Sequence, residues 1–162
     1  MYFEKVSFEQ WQRDCDKLCL DIDVAAAYDN IECPNSSTAF SAGHDFKMPL
    51  AFNIAADTKV TIPTGIRWVT ETPEEKNMVL IICPRSGLGV KYGMRLVNTI
   101  GVIDADYFEA NNEGHIMAII KSDADFNLYI GDRFMQGLIL PFIHCGEKIN
   151  TTRTGGFGST GN

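Results

Sequence analysis

No apolar run in the chain approaches the roughly 18 residues that an α-helical membrane span needs. The opening stretch, MYFEKVSFEQWQRD, also lacks the apolar segment of a secretory leader. Basic residues are in the minority, 14 Lys and Arg against 21 Asp and Glu, for a formal net charge of −7. That balance argues against generic binding to nucleic acid or to an anionic membrane surface. It leaves room for one small anion held by a few arginines, loop amides and a divalent cation. The five cysteines, at 15, 19, 33, 83 and 145, form no CxxC, and their odd number leaves one over under full oxidation. The pattern suits a reducing, cytoplasmic setting better than a disulfide framework. There is no GxxxxGK[ST] phosphate loop and no strand–helix–strand rhythm, which excludes the doubly wound nucleotide folds.

What is present fits one domain with a single core: 162 residues, 45% of them hydrophobic. The first twenty residues read as a helix. Ser7 and Gln10 have capping-box spacing, and Phe8, Trp11, Cys15, Leu18 and Cys19 share one expected buried face. Residues 21–41, with Pro34, Asn35, Ser36 and Ser37, read as loop. Then come short apolar or alternating runs: LAFNIA (50–55), KVTIP (59–63), GIRWVT (65–70), MVLIIC (78–83), HIMAIIK (115–121) and FMQGLILP (134–141). Gly, Pro, Asn and Asp punctuate them closely, so the expected class is all-β, a sandwich or barrel of short strands. The division implied is one β domain over residues 1–152 and a glycine-rich arm over 153–162.

Four segments crowd glycine, charge and hydroxyl where strands should turn. SAGHDF (41–46) is, by itself, a turn carrying an acid. PRSGLGVKYG (84–93) follows an apolar strand, and reads equally as a phosphate cradle or a decorated turn. In NTIGVIDADY (98–107), Asp104 and Asp106 share a face if the strand continues and diverge if Asp106 starts a turn. An acid at the end of GVI could serve as a general base, or simply be a solvated hairpin end. RTGGFGSTGN (153–162) is either a solvated leftover or a segment ordered by a ligand.

Taken in order, these segments resemble the five motifs of the trimeric dUTP pyrophosphatases (dUTPases) of bacterial and phage type. SAGHDF is similar to the first motif, usually AGYDL or AGYDF, PRSGLGVKYG to the second and GVIDADY to the third. GDRFMQGLILP (131–141) is similar to the fourth and RTGGFGSTG (153–161) to the fifth. The resemblance runs from about residue 31 to the end and implies a β jelly roll. It also implies hydrolysis of dUTP to dUMP and pyrophosphate, by attack of water on the α-phosphorus with Mg²⁺ on the triphosphate. That activity limits uracil in DNA and supplies dUMP.

By the same resemblance, Asp104 orients and deprotonates the water, and Asp45 reaches the metal through its coordinated waters. Arg85, Ser86 and Gly87 form the phosphate loop, and Gln136 touches a phosphate. A hairpin opened by Asn98, with Gly101 and a partner near Met117, imitates base pairing to uracil. Cytosine would leave buried groups unpaired there, at about 1–3 kcal/mol per group. Tyr107 lies under the deoxyribose and leaves no room for a 2′-hydroxyl. In the arm, Arg153 meets the γ-phosphate, Phe157 stacks over uracil, and Gly158, Ser159 and Thr160 wrap the phosphates as a lid. The family's homotrimer shares its sites between subunits.

The chain departs from the family pattern in places. His44 stands where tyrosine is usual and is expected to pack beside the motif. FEANNEGHIM (108–117) replaces a shorter continuation, which bears on the Met117 assignment. His115 and His144 read as structural or surface residues, since no companion spacing supports zinc. The N-terminal helix lies outside the motifs and is expected on the trimer surface. Two other readings share the implied fold. A dCTP deaminase is disfavoured by GVIDADY and the complete GFGSTG. A dUTP-sensing regulator acting on an unknown protein partner stays open, because Asp104 argues only against a purely binding role.

Overall fold

The computed structural model describes residues 1–146 and Gly155. In chain order its elements are β1 (Tyr2–Lys5), α1 (Phe8–Lys17), α2 (Val24–Asp29), β2 (Asn35–Ser36), β3 (Gly43–Lys47), β4 (Phe52–Ile54), β5 (Val60–Pro63), β6 (Ile66–Val69) and β7 (Met78–Pro84). There follow α3 (Ser86–Tyr92), β8 (Arg95–Leu96), β9 (Gly101–Asp104), β10 (Met117–Lys121), β11 (Phe126–Leu128) and β12 (Arg133–Pro141), with short 3₁₀ turns at Glu75–Asn77 and Tyr107–Glu109. The main sheet runs β2-β3-β12-β7-β9, a second runs β5-β10-β8, and β1-β6 and β4-β11 form pairs. The pairings between these strands are antiparallel. This is the all-β architecture that the short apolar runs imply, jelly-roll-like as the dUTPase resemblance implies, and each of the six runs contains a strand.

One core joins the sheets. Phe46, Ile62, Trp68, Leu80, Ile120 and Phe134 are buried in it, and so is Trp11 from α1. Strand β10 alternates buried and half-buried residues along MAIIK, as a strand with one covered face should.

Four details differ from the sequence reading. Residues 2–5 are a strand, because β1 finds a partner in β6, with Phe3 opposite Trp68 and Glu4 opposite Arg67. Tertiary pairing overrides a weak local preference there. The helix itself covers residues 8–17, capped by the Ser7 hydroxyl, which accepts from the Gln10 amide at 3.1 Å. Its buried face is Gln10, Trp11, Asp14 and Cys15. Cys19 lies past the end at φ 52 and is exposed, contrary to the expected face. Within the expected loop, VAAAYD forms α2, whose Asp23 cap accepts from the Ala26 amide at 3.0 Å. The segment SGLGVKY of the second motif is helical too, ending on Gly93 in the left-handed region.

Candidate active site

Three motifs converge on the main sheet because β12 pairs with β3 on one side and β7 on the other. Gln136 is the hinge of this register, lying opposite Asp45 on β3 and Cys83 on β7. Its side chain lies over Gly43, where an added Cβ would fall 2.5 Å from the Gln136 Oε1.

Asp45 is buried, at 4% exposure. Its Oδ2 accepts from the Ser37 hydroxyl at 2.6 Å and from Arg133 Nη1 at 3.1 Å, while Oδ1 accepts from Arg85 Nη1. Burial pushes this carboxyl up, but hydrogen bonds from Ser37, Arg85 and Arg133 and the Arg85 charge outweigh it. The net effect holds the carboxyl below its usual value. Asp45 is therefore an ionised clamp on two guanidiniums. Three of its roughly four lone-pair positions are taken, which leaves one on Oδ1.

Beyond this clamp the chain turns into α3. Ser86 and Gly87 occupy its first turn, where amides have no helical acceptor. A Cβ added at Gly87 meets no atom within 4 Å, so nothing in the described fold demands glycine there. Arg85 and Gly87 line a cavity of about 460 Å³ together with Lys91, Arg133, Tyr129 and Asp132. Three cations on one wall make it a local exception to the acidic net charge.

A second cavity, of about 360 Å³, opens between β9 and β10. Asn98, Gly101, Tyr107 and Met117 all line it, with Ile82, Leu96 and Ala118 as apolar walls. Four residues expected at base and sugar are thus brought together. Asn98 sits in a tight turn, where the Thr99 amide donates to the Leu96 carbonyl at 3.0 Å. Gly101 lies close on β7, since its added Cβ would be 3.0 Å from the Ile82 Cβ. Despite the longer FEANNEGHIM turn, Met117 is the first residue of β10 and faces this cavity. The Tyr107 ring is buried, and its hydroxyl donates to the His115 carbonyl at 3.3 Å and accepts from Asn112 Nδ2 at 2.9 Å.

Asp104 ends β9, exposed, opposite Val79 of β7. Asp106 does not continue that strand. It caps the 3₁₀ turn at φ −98, ψ 2, so the two acids do not continue one strand, and Asp104 is the last residue of β9, whose Gly101, Val102 and Ile103 line the cavity. The two cavities share no lining residue. Within one chain, the cavity lined by Asn98, Gly101, Tyr107 and Met117 and the basic cavity beside α3 are separate. Arg153, Phe157, Gly158, Ser159 and Thr160 lie outside the described residues.

His44 packs beside the first motif, its ring 5.6 Å from that of Phe3. His115 is fully buried and structural, and His144 is exposed. Among the described residues, no group of three His, Cys, Asp or Glu side chains gathers as a metal site. The donor chemistry fits an ion carried in on a triphosphate, since Mg²⁺ keeps its waters and needs few protein carboxylates. Sequence reading missed Ser37, Arg133 and Asn112. Arg133 stands inside the GDRFMQ segment and could have been flagged, whereas Ser37 and Asn112 sit in turn-like stretches without local signal.

The fold is a β fold with an apolar cavity beside β9 and a separate cavity lined by Arg85, Lys91 and Arg133. Residues 29–161 match the family model described as dUTPase, and the chain belongs to that family. The deoxyuridine 5'-triphosphate nucleotidohydrolase of Lactococcus lactis subsp. lactis is 36% identical over 147 residues, covering 86% of this chain and 95% of the relative. That of Gamma-proteobacterium EBAC31A08 is 38% identical over 141 residues, 81% and 96% of the two chains. The crystal structure of dUTPase from Streptococcus mutans superposes with a TM-score of 0.68 at 32% identity, over 91% of this chain and 100% of that one. A phage phi11 dUTPase, whose structure is described as coordinating a structural Mg(II) ion, has a TM-score of 0.62 at 18% identity. It covers 80% and 93% of the two chains, and that likeness is one of fold alone.

Proposed function

We propose that the protein hydrolyses dUTP to dUMP and pyrophosphate in a site assembled between copies of the chain. The observation that carries this reading is the single cavity lined by Asn98, Gly101, Tyr107 and Met117 with Asp104 at the end of its strand. The hairpin turn after Asn98 offers fixed donors and acceptors to uracil, and the Tyr107 ring closes against the sugar. Asp104, exposed at the end of β9, takes a proton from the attacking water, an effect typically worth ~10²–10⁴-fold. Amides of Ser86 and Gly87 and the Ser86 hydroxyl meet charge developing on the bridging oxygen. Arg85, fixed by Asp45, and Gln136 hold the phosphates in line. A bound Mg²⁺ would neutralise phosphate charge, with Asp45 as the carboxylate that its waters would meet.

The split between the two cavities supports a homotrimer, in which the phosphate loop of one copy serves the base pocket of another. Residues 153–162, as a lid from the β domain, would complete the site with Arg153, Phe157, Gly158, Ser159 and Thr160. A cytoplasmic setting accords with the free cysteines. Pyrophosphate release from dUTP, dCTP and UTP, with and without Mg²⁺, tests the activity. Turnover selective for dUTP is expected, and binding of dUTP without turnover would instead favour a sensor.

A further inference from the structure

The N-terminal helix lies outside every dUTPase-like motif, yet its buried face carries two polar residues. Gln10 and Asp14 are 2% and 4% exposed, and His115, opposite them, is fully buried. The His115 Nδ1–H donates to Asp14 Oδ2 at 2.7 Å, and Gln10 Nε2 donates to the same oxygen at 2.6 Å. On the other side of the ring, Nε2 accepts from the Gly65 amide at 2.8 Å. One ring nitrogen donates and the other accepts, so the imidazole is neutral and locked in one tautomer. A buried network satisfied this completely fixes its members in one geometry.

The segment that carries His115 is the long turn after the third motif, and it is tied to α1 at a second point. Glu113 Oε1 accepts from the Ser7 hydroxyl at 2.6 Å and Oε2 from the Ser7 amide at 2.8 Å. The turn therefore supplies half of the helix cap, a job that Gln10 would do in a self-contained capping box. Gly114, between the two anchors, has φ +71, and an added Cβ would lie 2.5 Å from the Phe108 Cα, so the turn can close only on glycine.

The same turn holds the tyrosine of the base cavity. Asn112 donates to the Tyr107 hydroxyl, which in turn donates to the carbonyl of His115, the residue that Asp14 fixes. Ile116 and Met117, the next two residues, are cavity wall.

We infer that α1 and the 108–117 turn form a sugar-selecting brace, in which Asn112, His115 and Asp14 are positioning residues acting through Tyr107. A ring held by its hydroxyl cannot swing aside for a 2′-hydroxyl, so discrimination between dUTP and UTP depends on the brace. This rests on the reading that Tyr107 faces the sugar.

The test is the ratio of kcat/KM for UTP to that for dUTP. Asn112→Ala is expected to raise it about 2- to 10-fold, the range of one lost net hydrogen bond. Asp14→Ala should raise it too, while Asp14→Asn, which keeps an acceptor for His115, should restore it. Added to Tyr107→Phe, which keeps the ring without its hydroxyl, Asn112→Ala should change nothing further. Ile54→Val, a core truncation elsewhere, should lower the melting temperature and leave the ratio alone. If Tyr107→Ala moves the ratio and Asn112→Ala does not, or if the Asn112 effect persists unchanged on Tyr107→Phe, the brace is refuted. If Tyr107→Ala itself leaves the ratio unchanged, the sugar reading fails first.

Discussion

Arg133 of β12 reaches across to Asp45 of β3, its Nη1 3.1 Å from Oδ2, and this bond makes one buried carboxylate the anchor of two cations. The anchor has a pH signature. The Asp45 carboxyl is held below the usual 3.8 by its partners despite burial. The unfolded state therefore binds the proton more readily, so the contribution to stability is complete above the unfolded value. It is lost as pH falls through the folded one. Denaturant melts between pH ~5 and ~2 should show Asp45→Asn losing stability less steeply than the parent protein. Equal slopes would mean that the clamp is not formed in solution.

Replacing Asp104, the proposed general base, should separate binding from chemistry. Asp104→Asn is expected to keep dUTP affinity while turnover falls roughly 10²–10⁴-fold. Calorimetry showing that binding disappears together with turnover would remove that role from Asp104.

Tyr107→Ala should improve use of UTP relative to dUTP, because the ring that excludes the 2′-hydroxyl is gone. Competition kinetics with both nucleotides reads this directly, and an unchanged ratio takes Tyr107 out of sugar selection.

Deleting residues 153–162 should collapse turnover and leave a cooperative melt, because the buried core of the described residues is built from Val6 to Met135. Full activity in the truncated protein would reduce the segment to a leftover.

The strands were the legible part of the fold. MVLIIC and FMQGLILP carry enough apolar, β-branched character to be read locally, and they became β7 and β12. Tyr2–Lys5 could not be read this way, because its strand state comes from pairing with Ile66–Val69 far along the chain. In SGLGVKY two glycines argue against helix, and only the surrounding fold makes α3. The site shows the same division. Asp104 stands out as an acid ending the apolar run GVI, whereas Asn98, Tyr107 and Met117 come only from the resemblance to the dUTPase motifs. Ser37 meets Arg133 from 96 positions away, and no local pattern announces such a bond. Asp14 likewise carries no local signal of burial, because its partner His115 lies 101 positions further along the chain.

If dUTP is hydrolysed where the Asp104 side of one copy meets the phosphate loop of another, damage to the two sides in different copies should be complemented in a mixed assembly. Asp104→Asn damages one half and Ser86→Ala the other, the latter costing about 10²–10³-fold by loss of a transition-state donor. Unfolding the two variants together, refolding them as a mixture and measuring pyrophosphate release from dUTP tests the claim most directly. The account predicts activity well above the sum of the separately refolded variants, because some mixed sites recover both intact halves. Activity no greater than that sum would contradict it.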